Sequence, residues 1–371
     1  MMSGAKSMET PRDPLPPIDQ VPAAHLEGRE LPNGWTVLGQ VPKDATATGG
    51  NFSFAYRVRN KSGVDAFLKA LDFHAALTGP GDILDRIEGF ASAYRFEREL
   101  MTECTARRMS RVIQLLDYGE VTVPEAGVIS RVPYLIFELA DGDIRQFQAR
   151  LGRFDTAWML RTMKHAATGI EQLHLAHTTH QDLKPSNVLT QDEGNEMKLG
   201  DLGRADRRGV DGPSSEFPIP GSVTYAPPEQ LYGAFGQTWE ERRAGDVYLL
   251  GSLAVQLVVG HNMSALVQGA LPKPFRAGTW SGEFAAALPY LIAAHADVMT
   301  KFRTRAADLI NLPEVVEELS AAISDMTFPD PLRRGHPRDR AAKTSSYDVR
   351  RYVSLFNRLA TAAEYRLRKG Q

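Results

Sequence analysis

The segment His180-Gln181-Asp182-Leu183-Lys184-Pro185-Ser186-Asn187-Val188-Leu189 puts a carboxylate, an ammonium and a carboxamide close together, at Asp182, Lys184 and Asn187. In general a carboxylate can take a proton, an ammonium offsets an anion, and an amide oxygen suits a hard cation. The ordinary alternative is a polar loop after a helix, with Asp182 as a cap. A further carboxylate follows in Gly200-Asp201-Leu202-Gly203, and hydroxyls in Gly221-Ser222-Val223-Thr224-Tyr225-Ala226-Pro227-Pro228-Glu229. Upstream lie Ala66-Phe67-Leu68-Lys69, Phe96-Glu97-Arg98-Glu99, Tyr134-Leu135-Ile136-Phe137-Glu138-Leu139-Ala140 and the paired glycines of Thr48-Gly49-Gly50-Asn51-Phe52-Ser53.

Taken together these segments resemble the eukaryotic-type (Hanks-type) serine/threonine protein kinases over roughly residues 35–342. Phosphoryl transfer needs an aligned hydroxyl, an acceptor for its proton and a charge clamp on the phosphates. The resemblance implies that Asp182 orients or accepts the hydroxyl proton and that Lys184 reaches the transferring phosphate. It implies that Asn187 and Asp201 bind magnesium or manganese, and that Lys69 grips the ATP phosphates. Glu99 best matches the helix glutamate that pairs with Lys69, with Glu97 as the runner-up. Phe137 is the expected gatekeeper. Glu138 and Ala140 are expected to meet adenine through their backbones, with Leu189 beneath the ring. Asp246 resembles the aspartate that holds the catalytic-loop backbone, and Arg334 the partner of a buried Glu229. Ser222 takes the position where the family places a hydroxyl near Asp182 and Lys184. Lysine at 184 resembles the serine/threonine subclass.

The chain departs from the family in two places. Of the expected Gly-x-Gly-x-x-Gly only the middle glycine, Gly50, stays in position, with Gly49 beside it. Glycine lets backbone N–H groups approach phosphates closely. Gln181 stands where many kinases carry an arginine that receives an activation-loop phosphate. A neutral amide cannot form that ion pair, so activity is expected not to depend on phosphorylation through this position.

The elements that must hold these groups can be read from pattern. Residues 1–30 hold Pro11, Pro14, Pro16, Pro17 and Pro22 and read as a flexible tail. Short apolar runs at Trp35–Val41, Phe52–Arg59, Val64–Leu71, Val112–Tyr118 and Tyr134–Glu138 predict strands. A long helix is expected from Ile83 to about Met109, and others over Thr156–Leu175, Val247–Val259, Phe284–Ile310 and Leu312–Met326. The expected fold class is α+β: a bilobal protein-kinase-like fold with a small antiparallel-sheet N-lobe (35–140) and a larger, mainly helical C-lobe (141–342). A ligand cleft is expected near 139–142. Residues 343–371 form a helical extension with Val349, Tyr352, Val353, Phe356, Leu359, Ala360 and Ala363 on one face, expected to pack on the large lobe. Gly260 to Met326 reads as helices filling the fold.

Composition limits the function classes. The chain has 371 residues, 43% hydrophobic and 24% charged, with a formal net charge of −2. That balance gives no reason to expect a nucleic-acid partner. The single cysteine, Cys104, cannot form an internal disulfide. The most apolar run, Val247–Val259, falls short of the ~20 residues of a membrane span. A cytoplasmic location is expected, with protein substrates bearing serine or threonine and a regulatory protein partner as a further option. His174 and His177 lack companions for a metal site, and His180 reads as a backbone-organising histidine. The resemblance thus implies an ATP-dependent protein serine/threonine kinase. The alternatives are a nucleotide-binding pseudokinase or scaffold, and a small-molecule kinase of the aminoglycoside or choline type. The latter generally lack a Lys184-Pro185 pair and the 221–229 segment.

Overall fold

A computed structural model describes residues 21–42, 53–77, 81–124, 130–234, 236, 238–342 and 346–369. The chain divides into two compact units: Met1–Glu99 with Leu115–Leu139, and Leu100–Gln114 with Ala140–Gln371.

The first unit is an antiparallel sheet in the order β1-β2-β3-β5-β4, made of β1 (Trp35–Gln40), β2 (Ser53–Asn60), β3 (Asp65–Leu71), β4 (Leu115–Thr122) and β5 (Arg131–Glu138). Helix α1 (Ile83–Ala106) begins in this unit. The β2–β3 turn is dictated locally. The Asn60 side-chain oxygen accepts from the N–H groups of Ser62 and Val64, both at 2.9 Å. Gly63 adopts φ 84°, a value glycine reaches without a Cβ penalty. Along β3 the side chains alternate faces. Ala66, Leu68 and Ala70 are buried in a core with Tyr56, Val58, Val132, Tyr134 and Ile136. Phe67 and Lys69 therefore point to the opposite face.

That core is closed by a segment expected to be a loose tail. Val21, Ala23, Leu26 and Leu31 belong to it, a 3₁₀ turn runs over Pro22–Ala24, and the Tyr56 hydroxyl donates to the Ala23 carbonyl at 2.7 Å. Burying side chains such as Leu26 and Leu31 is worth about 1.5–3 kcal/mol each, enough to order residues 21–31 despite Pro22. The expected tail over 1–30 is thus corrected at its C-terminal end. Residues 1–20 lie outside the described residues. The fourth strand also begins later than expected. Leu115–Thr122 forms the strand, with a bulge between Leu115 and Asp117, while Val112 makes a parallel bridge to Leu199 in the second unit.

The second unit is mainly helical. In order it contains β6 (Gly142–Asp143), α2 (Ile144–Leu151), α3 (Thr156–Leu175), β7 (Thr178–Thr179), β8 (Val188–Gln191), β9 (Glu196–Leu199), β10 (Asp206–Arg207), α4 (Pro228–Leu231), α5 (Trp239–Val259), α6 (Met263–Ala270), α7 (Phe284–Leu309), α8 (Pro313–Met326), α9 (Pro337–Ala342) and α10 (Arg350–Arg368). Strands pair as β6-β8-β9 and β7-β10. Helix α5 starts at a capping box in which Thr238 and Glu241 satisfy each other's backbone N–H groups. Its stretch from Ala244 to Val255 is buried throughout, so the apolar run is an interior helix. Among the described residues no single helix is long and apolar enough to cross a membrane. Helix α10 packs along α3, burying Tyr352, Phe356, Leu359, Ala360 and Ala363, and Arg161 of α3 meets Glu364 at 2.6 Å. The architecture is the α+β, two-unit arrangement expected of a bilobal kinase fold.

Candidate active site

The catalytic-loop segment lies between two small sheets, anchored from below by α5. Asp246 of α5 is fully buried. An ionised carboxylate is tolerable there only if it is hydrogen-bonded, and Asp246 accepts several bonds. His180 N donates to Oδ2 and Gln181 N to Oδ1, both at 2.8 Å, and His174 Nε2 lies 2.9 Å from Oδ2. The Gln181 side chain adds a fourth at 3.1 Å and also donates to the Arg242 carbonyl at 2.8 Å. These bonds hold Gln181 at φ 63°, a left-handed conformation costly for a residue other than glycine. The chain reverses at that point and presents Asp182.

Asp182, Lys184 and Asn187 are brought together within this unit. Lys184 Nζ donates to Asp182 Oδ2 at 2.7 Å. Asn187 Nδ2 donates to the Asp182 carbonyl at 2.8 Å and to its Oδ2 at 3.2 Å. The other carboxylate oxygen, Oδ1, accepts the backbone N–H of Ser222 at 2.8 Å. All three side chains are almost wholly buried. The carboxylate is thus fixed in orientation from three directions. Ser222 reaches Asp182 through its backbone, while its hydroxyl lies 3.1 Å from that of Thr224.

Because the Asn187 amide nitrogen is spent on Asp182, its Oδ1 is the atom left to accept, and it takes the Ser186 hydroxyl at 3.3 Å. The β8–β9 hairpin then returns the chain to this point, and Gly200 N donates to the Asn187 carbonyl at 2.9 Å. Asp201 follows, exposed and at φ 55°, with Leu202 buried behind it. Among the described residues no group of three or more His, Cys, Asp or Glu side chains is placed to hold a metal by itself. A magnesium bound together with nucleotide phosphates needs only one or two protein oxygens, which Asn187 Oδ1 and Asp201 can offer. Gly221 is fixed by space: a Cβ there would lie 2.3 Å from the Gln181 carbonyl oxygen and 2.9 Å from Asp182 Oδ1.

The segment after Ser222 ends in an ion pair inside the unit. Arg334 donates to Glu229 at 2.6 and 2.8 Å, and to the Ala244 and Phe328 carbonyls. Burial alone would lower the arginine's pKa, but the charge and hydrogen bonds of Glu229 more than offset it, so the shift is upward. The expected Glu229 partner is present.

In the first unit Lys69 projects from β3 and donates to Glu97 Oε1 at 2.7 Å and Oε2 at 2.9 Å. The expected pairing with Glu99 is therefore replaced by Glu97. On a helix, residues two apart point ~200° from each other. Glu97 is buried, whereas the Glu99 side chain is 66% exposed beside Arg98. Glu138 ends β5 opposite Ala66, with Phe137 opposite Phe67. In the second unit Ala140 precedes β6, and Leu189 of β8 pairs with Asp143 and Lys198. A Cβ on Gly200 would come within 2.8 Å of Leu189 Cδ1. Gly50 lies outside the described residues. Two contributors went unread in the sequence. His174 and Arg242 carry no motif, although Arg242 sits one helical turn before Asp246, a spacing that places both on one side of α5.

Comparison with known proteins bears on the same residues. The family model described as protein kinase domain matches residues 84–272, just over half of the chain. It spans Asp182, Lys184, Asn187 and Asp201 and begins after Lys69. Serine/threonine-protein kinase PknL of Mycobacterium tuberculosis is 28% identical over 151 residues, covering 40% of this chain and 36% of that protein. Serine/threonine-protein kinase PknA of the same species is 28% identical over 167 residues, covering 45% and 36%. The hormonally up-regulated neu tumor-associated kinase of Homo sapiens is 27% identical over 264 residues, covering 68% and 33%. The chain spans about a third of the length of these curated relatives.

Proposed function

The chain belongs to the protein kinase family, and from that premise we propose that it is an active, ATP-dependent kinase that phosphorylates serine or threonine on protein substrates. The observation that carries the reading is the arrangement around Asp182. Its carboxylate is held by the Lys184 ammonium, the Asn187 amide and the Ser222 N–H.

In this reading Asp182 aligns the substrate hydroxyl and takes its proton as the phosphoryl group departs from ATP. Lys184, now resting on Asp182, offsets the charge that grows on the transferring phosphate. Asn187 and Asp201 hold magnesium or manganese, which neutralises phosphate charge when bound. Lys69, fixed by Glu97, grips nucleotide phosphates. Glu138, Ala140 and Leu189 are assigned to the adenine, and Gly50 to the loop over the phosphates. The fold needs no covalent enzyme intermediate, since positioning and electrostatics supply the rate. A cytoplasmic location and a regulatory protein partner complete the proposal.

The test is phosphate transfer from gamma-labelled ATP with magnesium to a generic basic protein, beside Asp182→Asn and Lys69→Ala. Label on serine or threonine, lost in both variants, is the expected result. Absence of label while ATP still raises the melting temperature would replace this reading with that of a nucleotide-binding scaffold.

A further inference from the structure

The stretch from Asp206 to Ser222 must lie correctly if Ser222 is to meet Asp182, yet apolar burial does little to hold it. Val210 is 48% exposed and Phe217 47% exposed. Polar ties fix it, and they converge on one side chain. Arg242 of α5 is 1% exposed. Its guanidinium donates to the Ser215 carbonyl, and its Nε lies 3.8 Å from Asp206 Oδ2. The Ser215 hydroxyl donates to Asp206 Oδ1 at 2.7 Å and accepts Gly212 N at 2.7 Å. Asp206 itself begins β10, which pairs with β7 just ahead of His180. At its other end the carbonyl of Arg242 accepts the side chain of Gln181, the residue preceding Asp182.

One residue therefore joins the catalytic loop through its backbone and the 206–215 segment through its side chain. Burial pulls the guanidinium below its ordinary pKa, against the opposing charges of Asp206, Glu241 and Asp246. Desolvating a cation is costly, and for stability alone an apolar side chain of similar volume would serve as well. A guanidinium adds direction: one N–H donates to the Ser215 carbonyl while its charge faces the Asp206 carboxylate at ion-pair distance.

We infer that Arg242 and Asp206 are positioning residues for phosphoryl transfer, an internal guanidinium–carboxylate pair that holds the segment leading to Ser222 in its working place without a phosphate group on it. The inference rests on the kinase reading above. It also accounts for Gln181, whose amide locks the loop to α5 and leaves the tie to the segment to Arg242.

The experiment compares wild type with Asp206→Asn, Arg242→Gln and Arg242→Lys, all treated with phosphatase. It records kcat, KM for ATP, melting temperature and the rate of tryptic nicking at Arg207 and Arg208. A displacement of about 1 Å in a reacting group costs on the order of 100-fold. Asp206→Asn and Arg242→Gln are expected to lower kcat by about 10- to 100-fold, with KM for ATP within about 2-fold and faster nicking. Arg242→Lys, which keeps the charge, recovers part of kcat. Asp206→Asn is nearly isosteric, so it decides the matter if Arg242→Gln fails to fold. Wild-type kcat and nicking in a folded Asp206→Asn would overturn the inference, as would a wild type that phosphatase inactivates. A wild type that transfers no phosphate sinks the kinase reading instead, and the nicking rates then decide alone whether the pair orders the segment.

Discussion

Acidification should destabilise this protein through two buried histidines, His165 and His295. Each is buried, at 5% and 3% exposure. His165 Nδ1 accepts the Met197 N–H at 3.2 Å, so charging that nitrogen breaks the bond. His295 Nε2 lies 2.9 Å from the Thr327 hydroxyl oxygen, whose own proton goes to the Ile323 carbonyl at 2.7 Å. The imidazole must therefore donate there. Burial is the main cause in both cases and pushes the pKa down, to about 3 for His165 and about 4 for His295. Neighbouring arginines push the same way. In the unfolded chain both rings titrate near 6.5. Between those limits the unfolded state binds more protons, so stability rises with pH and is lost as pH falls below about 6.5. From pH 7 to pH 5 the linkage costs about 2 kcal/mol per histidine, hence about 4 kcal/mol together. That is a large share of the ~5–15 kcal/mol typical of a domain. The assay is urea unfolding at half-unit pH steps for wild type, His165→Gln and His295→Gln. Each variant should lose roughly half of the wild-type pH slope, whatever its stability at pH 7. An unchanged slope in both variants, or a flat wild-type profile, would refute the argument.

Two further outcomes follow from the site. Glu97→Gln removes the charge that fixes Lys69 and should lower kcat/KM for ATP by about 10- to 100-fold, on the ~1.5–3 kcal/mol scale of a charged hydrogen bond. Glu99→Gln should stay within about 2-fold, and steady-state kinetics that reverse this order would restore Glu99 as the partner. Gly221→Ala forces a methyl into the Gln181 carbonyl. Backbone there cannot yield cheaply, so activity should fall by on the order of 100-fold; a near-wild-type rate would show that the loop relaxes freely.

What could be read from the sequence was what is local. Asp182, Lys184 and Asn187 lie within one loop, so their spacing already implied their meeting. The Glu229–Arg334 pair was also legible, because both segments resemble the family's and a buried carboxylate demands a partner. Choices that depend on the phase of an element against its neighbours were not legible. Phe96-Glu97-Arg98-Glu99 offers two acids, and only the face that α1 turns toward β3 selects Glu97. Residues 21–31 looked like tail because they follow directly on the proline-rich stretch at 11–17 and hold Pro22 themselves. Their hydrophobic side chains follow no helix or strand period, and their value appears only when the sheet supplies the opposite surface. Arg242 was hidden for a related reason: a charge at the start of a helix reads as solvated until the segment that covers it is in place.

The helix α10 has a bearing on where this protein can be cut. The family match ends at residue 272, a natural place to trim a fragment for expression. Such a fragment would lack α10, and the side of α3 that α10 covers would face water, together with the flanks of α5 that pack on α7 and α8. Exposed apolar ribbons of that kind promote self-association. The helix that began as an extension is, in physical terms, a wall of the domain, and a piece that keeps that side of α3 covered must run on through it.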